Sequence, residues 1–136
     1  RHVFTEKPIA IGVETGRQLV AAAGHERVRI LSDPAHYHCT PTKLADLDAD
    51  AVAAIGHVHV NNMTDVPGDH ADCNADRLLP DDPAGVIDLG ALIGRIESHG
   101  YRGLFSIEMF DAELWAMPTE DAARRMYQSL LTLCDQ

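Results

Sequence analysis

The chain has 136 residues, and 11 Lys plus Arg stand against 21 Asp plus Glu, for a formal charge of −10. So acidic a balance argues against binding to a nucleic-acid backbone or an anionic membrane, both of which need basic patches. Hydrophobic residues at 46% and charged residues at 24% give the composition of an ordinary globular protein with enough apolar mass to bury a core.

No basic segment leads into an apolar stretch at the start and no run of eighteen apolar residues occurs, so neither a signal peptide nor a membrane span is expected and the chain reads as cytoplasmic. Cys39, Cys73 and Cys134 are odd in number and widely spaced, which suggests buried or half-buried thiols rather than a disulfide framework or a zinc ribbon. The sequence begins at Arg1 without a methionine, and we expect it to be a piece of a longer protein.

In chain order, Thr15 to Ala23 clusters apolar residues at helical spacing before Gly24 and predicts a helix. Val28 to Ser32 is short and β-branched and runs into Asp33-Pro34, which predicts a strand with a sharp stop. Residues 43–54, rich in Ala and Leu, predict one helix or two short ones. His57 to Val60 predicts a second strand, with Val58 and Val60 on one face and His57, His59 and Asn61 on the other. From Asn61 to about Gly85 the chain carries prolines and many aspartates and reads as a long functional loop. Asp88 is placed to cap a helix ending before Gly100, Leu104 to Ile107 predicts a third strand, and Thr119 is placed to cap a last helix over 120–133.

Strands alternating with helices imply a parallel sheet with right-handed crossovers. A chain of this length is either a small doubly wound domain or about half of a (β/α)8 barrel, which needs roughly 250 residues. In either architecture the C-terminal ends of the strands line the active crevice. Asp33, His59 and Glu108 fall at three such ends. Taken singly, Asp33 reads as a helix or turn cap and His59 as a core histidine. Glu108 follows the apolar run LFSI, where a carboxylate is costly to bury unless it is paired or metal-bound. Together the three make an oxygen-rich ligand set that suits Mn²⁺ first, with Mg²⁺ and Co²⁺ as alternatives. His36, three residues after Asp33, would face the same cavity if the chain turns after Pro34. Trp115 is either a wall of the pocket or a packed loop anchor.

The ordered runs LSDPAH, IGHVHVNN, DRLLP with GVIDLGAL, and GYRGLFSIEMF cover nearly the whole chain. In that combination the chain resembles the C-terminal half of the sugar isomerase and epimerase superfamily with the xylose isomerase-like TIM barrel. The resemblance implies that residues 1–136 form the C-terminal part of one barrel domain, some three to four β/α units. It implies metal ligands at Asp33, His59 and Glu108, substrate contacts at His36 and Arg77, and Glu108 as a catalytic acid or base. It also adds Zn²⁺ to the candidate ions. The implied activity is metal-dependent isomerisation or epimerisation of a sugar or sugar phosphate by proton transfer through an enediolate.

Dehydration of an inosose or a 3-dehydroshikimate on the same site, and a non-catalytic truncated fragment, are the alternatives. The expected partner is a small sugar or polyol-derived molecule, not nucleic acid or membrane, and homo-oligomerisation is left open. The family's first ligand, a Glu from an earlier strand, has no counterpart here, because neither Glu6 nor Glu14 ends an apolar strand. The family's R-x-x-P-G-x-G loop reads RLLPDDPAG here, two residues longer and without the glycine after Pro80. The D-R-H zinc element of the endonuclease IV branch reads Asp76-Arg77-Leu78, and leucine cannot ligate zinc.

Overall fold

A computed structural model describes residues 12–134. Helix α1 (Val13–Ala23) ends at Gly24, whose φ of 60° is the left-handed conformation that glycine adopts without steric cost. Strand β1 (Ile30–Ser32) follows, and Asp33 with Pro34 then starts α2 (Pro34–His38), so of the two caps open to Asp33 it is the helix cap. Proline at the first helical position, with its φ preset and no N–H to satisfy, nucleates this short helix, and the Asp33 side chain accepts from Ala35 N–H. The alanine-rich stretch resolves into a 3₁₀ turn at Leu44–Asp46 and α3 (Ala49–Ala53), with the side chain of Asp48 accepting from Ala51 N–H at 2.8 Å.

Strand β2 (Ile55–Val60) is the centre of a parallel sheet ordered β1-β2-β5, where β5 is Phe105–Ile107. Val58, His59 and Val60 of β2 stand opposite Phe105, Ser106 and Ile107 of β5. The period-two side-chain alternation then gives the sheet two unlike faces. Val58 and Val60 are buried in a core with Val52, Ile55, Leu89, Leu92, Ile96 and Tyr101. His57 and His59 alternate with those valines and so lie on the other face. Helix α4 (Leu89–Ser98) provides Leu89, Leu92 and Ile96, spaced three and four apart, as the stripe that covers the valine face. Asp88 caps it as its position suggests, accepting from Ala91 N–H at 2.9 Å. The exposed guanidinium of Arg29 donates to the Ala53 carbonyl and that of Arg102 to the Glu97 carbonyl, placing cations at the C-terminal ends of α3 and α4.

Three features depart from the sequence reading. The long 61–85 loop contains a small antiparallel ladder, β3 (Asn62–Met63) with β4 (Arg77–Leu78). Two-residue strands carry no readable alternation; the ladder forms because Met63 and Arg77 are drawn into the interior, at 0% and 3% exposure. The loop is also tied to α2: His38 Nε2 donates to the Val66 carbonyl at 2.8 Å, and Gly68 lies so close to the His38 carbonyl that a Cβ would collide with it. Second, a further helix, α5 (Ala112–Ala116), follows Glu108, capped by Asp111 accepting from Glu113 and Leu114 N–H. Trp115 lies on it at 69% exposure, so it does not serve as a packed loop anchor among the described residues. Third, α6 (Thr119–Cys134) begins at Thr119 itself, directly after Pro118, so the threonine is a first-turn residue and not the cap. Among the described residues no helix is long and apolar enough to cross a membrane.

Ile96, the last residue of the α4 stripe, is fully buried. Ile96→Ala removes three buried carbons and leaves a cavity, so it should lower stability by about 2–5 kcal/mol. Urea or guanidinium unfolding of the two proteins reads this directly, and a loss below about 1 kcal/mol would mean that α4 does not pack on β2 in this way.

Candidate metal centre

Parallel pairing puts the ends of β1, β2 and β5 side by side at one rim. Asp33 follows β1, His59 is next to last in β2, and Glu108 follows β5. Each of the three offers a ligand atom, and these atoms all lie within 4.8 Å of one another. His59 Nδ1 is 3.4 Å from Asp33 Oδ2 and 3.3 Å from Glu108 Oε2. Three side chains separated by up to 75 residues thus converge because β-strand register, not sequence proximity, sets their positions.

Arg77 enters the same point from β4. Its Nη1 donates to Glu108 Oε2 at 2.9 Å and stands 3.1 Å from Asp33 Oδ2. The same nitrogen donates to the Glu108 carbonyl at 3.2 Å, and Nε donates to the Cys73 carbonyl at 2.6 Å. The guanidinium lies 5.1 Å from the centre of the Phe110 ring, within cation–π range. Its side chain is fully buried, as is that of Asp33 at 1% exposure, whereas Glu108 keeps 27%. Two carboxylates with so little access to water are stabilised by the guanidinium between them. Arg77 Nη2 has no hydrogen-bond partner among the described residues.

Asp33 uses its two oxygens differently. Oδ1 accepts from Ala35 N–H at 2.9 Å and so caps α2, while Oδ2 faces His59 and Arg77. His36 lies half-buried in α2, one turn from Asp33, and is not one of the three convergent ligands. His57 bonds through Nε2 to Ser106 Oγ at 2.7 Å and packs edge-on against the His59 ring at 5.5 Å.

Sequence reasoning gave Asn61 no role beyond its place on the histidine face. It is completely buried; its amide nitrogen donates to Asp33 Oδ1 at 3.0 Å and to the Glu108 carbonyl at 3.4 Å, and its oxygen accepts from Ala35 N–H at 3.0 Å. The available signal was the continued alternation His57, His59, Asn61, which puts a third polar side chain on the face that carries the ligands.

The donor set fits a hard or borderline divalent ion: two carboxylates and one imidazole, convergent, at a strand-end rim. Comparison with known proteins agrees with this architecture. The family model for the xylose isomerase-like TIM barrel matches residues 7–133. The chain belongs to that family. Its sheet is accordingly part of a barrel, and structures of the fold are close: an IolI protein described with a binding zinc atom superposes with a TM-score of 0.79 at 21% identity, covering 90% of this chain and 43% of that one. A xylose isomerase domain protein from Alicyclobacillus acidocaldarius gives 0.68 at 27% identity, covering 89% and 42%. Among curated relatives, an inosose isomerase of Halalkalibacterium halodurans is 25% identical over 107 residues, which is 79% of this chain and 37% of that protein. An inosose isomerase of Bacillus velezensis is 26% identical over 111 residues, covering 82% and 39%. The chain spans about two fifths of the length of these relatives.

Two predictions come from the geometry. Arg77→Met leaves two carboxylates facing each other in a buried site, and chemical denaturation should show a loss of about 3–5 kcal/mol; a near-neutral change would mean that the guanidinium does not hold them. Burial, and secondarily the neighbouring His59, keep the His57 pKa below its ordinary value of 6.5. Folded His57 therefore refuses a proton that the unfolded chain takes up, so its contribution to stability is present above pH 6.5 and is lost as the pH falls through and below that value. An NMR titration should place the His57 midpoint below 6.5, and a midpoint at or above 6.5 would contradict the assigned burial.

Proposed function

We propose that residues 1–136 are the C-terminal part of the barrel domain of a divalent-metal-dependent isomerase or epimerase that moves a proton next to the carbonyl of a polyhydroxy ketone. The convergence of Asp33, His59 and Glu108 within 4.8 Å at the strand-end rim is the observation that carries this reading. The named activity of the curated relatives, inosose isomerase, supports a cyclic or open-chain ketose as the substrate class.

Asp33, His59 and Glu108 would hold the ion, Mn²⁺ in first place given the oxygen-rich set, with Zn²⁺, Mg²⁺ and Co²⁺ as alternatives. When bound, such an ion acts as a Lewis acid on substrate oxygens and lowers the cost of the negative charge that gathers there. A divalent charge among two carboxylates and one guanidinium leaves one positive charge uncompensated, which suits a fourth, anionic ligand from another strand. Of the two carboxylates only Glu108 keeps exposure, so Glu108 is the one that can take a proton from a substrate carbon and return it. Arg77 Nη1 donates to Glu108 Oε2 and fixes where that carboxylate stands, and its unused Nη2 donors can serve a substrate oxygen. His36, in the helix that Asp33 caps, is assigned to substrate hydroxyls.

The test is isotope exchange in D₂O with inosose-type ketoses and Mn²⁺, using the intact protein. Deuterium should enter at the carbon beside the carbonyl, Glu108→Gln should abolish that entry with the fold retained, and retained exchange in the variant would remove Glu108 from the role. In calorimetric titration of Mn²⁺, His59→Ala should weaken binding more than His57→Ala; the opposite order would mean that His57 is the ligand.

A further inference from the structure

The three ligand candidates are themselves held, and one side chain touches two of the residues involved. Asn61 lies one residue beyond β2, fully buried, and bridges the ends of all three strands. Its Nδ2 reaches Asp33 Oδ1 at 3.0 Å on one side and the Glu108 carbonyl at 3.4 Å on the other. Its Oδ1 takes the Ala35 N–H at 3.0 Å, which fixes which end of the amide faces the carboxylate, because only the NH₂ end can donate to Asp33. Ala35 N–H is shared, since it also reaches Asp33 Oδ1 at 2.9 Å. Asp33 Oδ1 therefore receives two buried donors, and Oδ2 alone is presented to His59 Nδ1 and to Arg77.

We infer that Asn61 is a positioning residue that restricts Asp33 to one-oxygen coordination through Oδ2 and fixes the spacing of Asp33 from Glu108. The inference rests on the metal-binding reading above. A carboxylate is free to bind an ion through one oxygen or both, and the choice decides how many coordination positions are left for a substrate. With Oδ1 occupied by the amide of Asn61 and the N–H of Ala35, rotation of Asp33 to a two-oxygen mode would break two buried hydrogen bonds, each costly to leave unmade. Removing the amide leaves only the Ala35 N–H on Oδ1, and the restraint is halved. Partners that orient a ligand in this way typically account for about 10–100-fold in metal affinity.

Asn62 provides the control. It is the next residue, also an asparagine and also buried, but its amide bonds go to the Ile87 carbonyl, Ile87 N–H and Met63 N–H, not to any of the three ligand side chains. The experiment titrates Co²⁺ into the intact protein and its Asn61→Ala and Asn62→Ala variants, recording affinity, the visible ligand-field spectrum, which reports coordination number, and thermal unfolding. The expected result is Asn61→Ala binding about 10–100-fold more weakly than the parent with an altered spectrum, while Asn62→Ala loses thermal stability but keeps both affinity and spectrum. If Asn61→Ala does not fold, Asn61→Ser, which keeps a small polar side chain, takes its place. Parent-like affinity and spectrum in a folded Asn61 variant would overturn the inference and leave the metal reading intact. Equal losses in the Asn61 and Asn62 variants would also overturn it, because the effect would then be general stability. Failure of the intact parent protein, with the rest of its barrel present, to bind Co²⁺ would overturn the metal reading, and the inference with it.

Discussion

Asp33 and Glu108 stand side by side at the rim of a parallel sheet with reduced access to water, and the Arg77 guanidinium is the one cationic group of fixed charge that reaches both among the described residues. The rest of the region is arranged around that contact. Arg77 has to come from a strand that the long loop would not otherwise form, so the β3–β4 ladder exists where composition suggested irregular chain. The loop then has to be tied down, and His38 and Gly68 do so against α2, the helix that Asp33 itself caps. One electrostatic constraint thereby connects β1, α2, the loop and the segment after β5.

The two faces of the sheet divide structure from chemistry. On one, Val58 and Val60 meet the leucine and isoleucine stripe of α4, and burial of that apolar surface supplies the stabilisation. On the other, His57, His59 and Asn61 make polar contacts that cost free energy to bury and are each satisfied by a specific partner. Because strand side chains alternate strictly, a one-residue slip of β2 would exchange the two faces, expose the valines and bury the histidines against α4. The hydrophobic face thus keeps the polar face in register.

Membership of the xylose isomerase-like TIM barrel family accords with the gathering of ionisable side chains at the strand ends, since that rim is where TIM barrels carry out chemistry. Three parallel strands are a part of the eight that close such a barrel, and β1 and β5 each pair on one side only among the described residues.

The order of elements, the parallel sheet, the α4 cap at Asp88 and the strand-end positions of Asp33, His59 and Glu108 were all legible in the sequence, because alternation, caps and proline or glycine stops are local signals. The short helices α2 and α5 were not, since five residues carry too little periodicity to distinguish them from turns. Nor was the β3–β4 ladder, which depends on where Met63 and Arg77 are buried and not on what surrounds them in sequence. The sequence by itself determined which side chains stand at the ends of the strands. Only the tertiary structure decided that Asp33 divides its two oxygens between a helix cap and the ligand cluster, that Arg77 binds both carboxylates, and that Asn61 bridges the rim. Apart from the local cap on Ala35 N–H, those contacts join residues 26 to 47 positions apart, and their distances are fixed by strand register and packing, which no local pattern encodes.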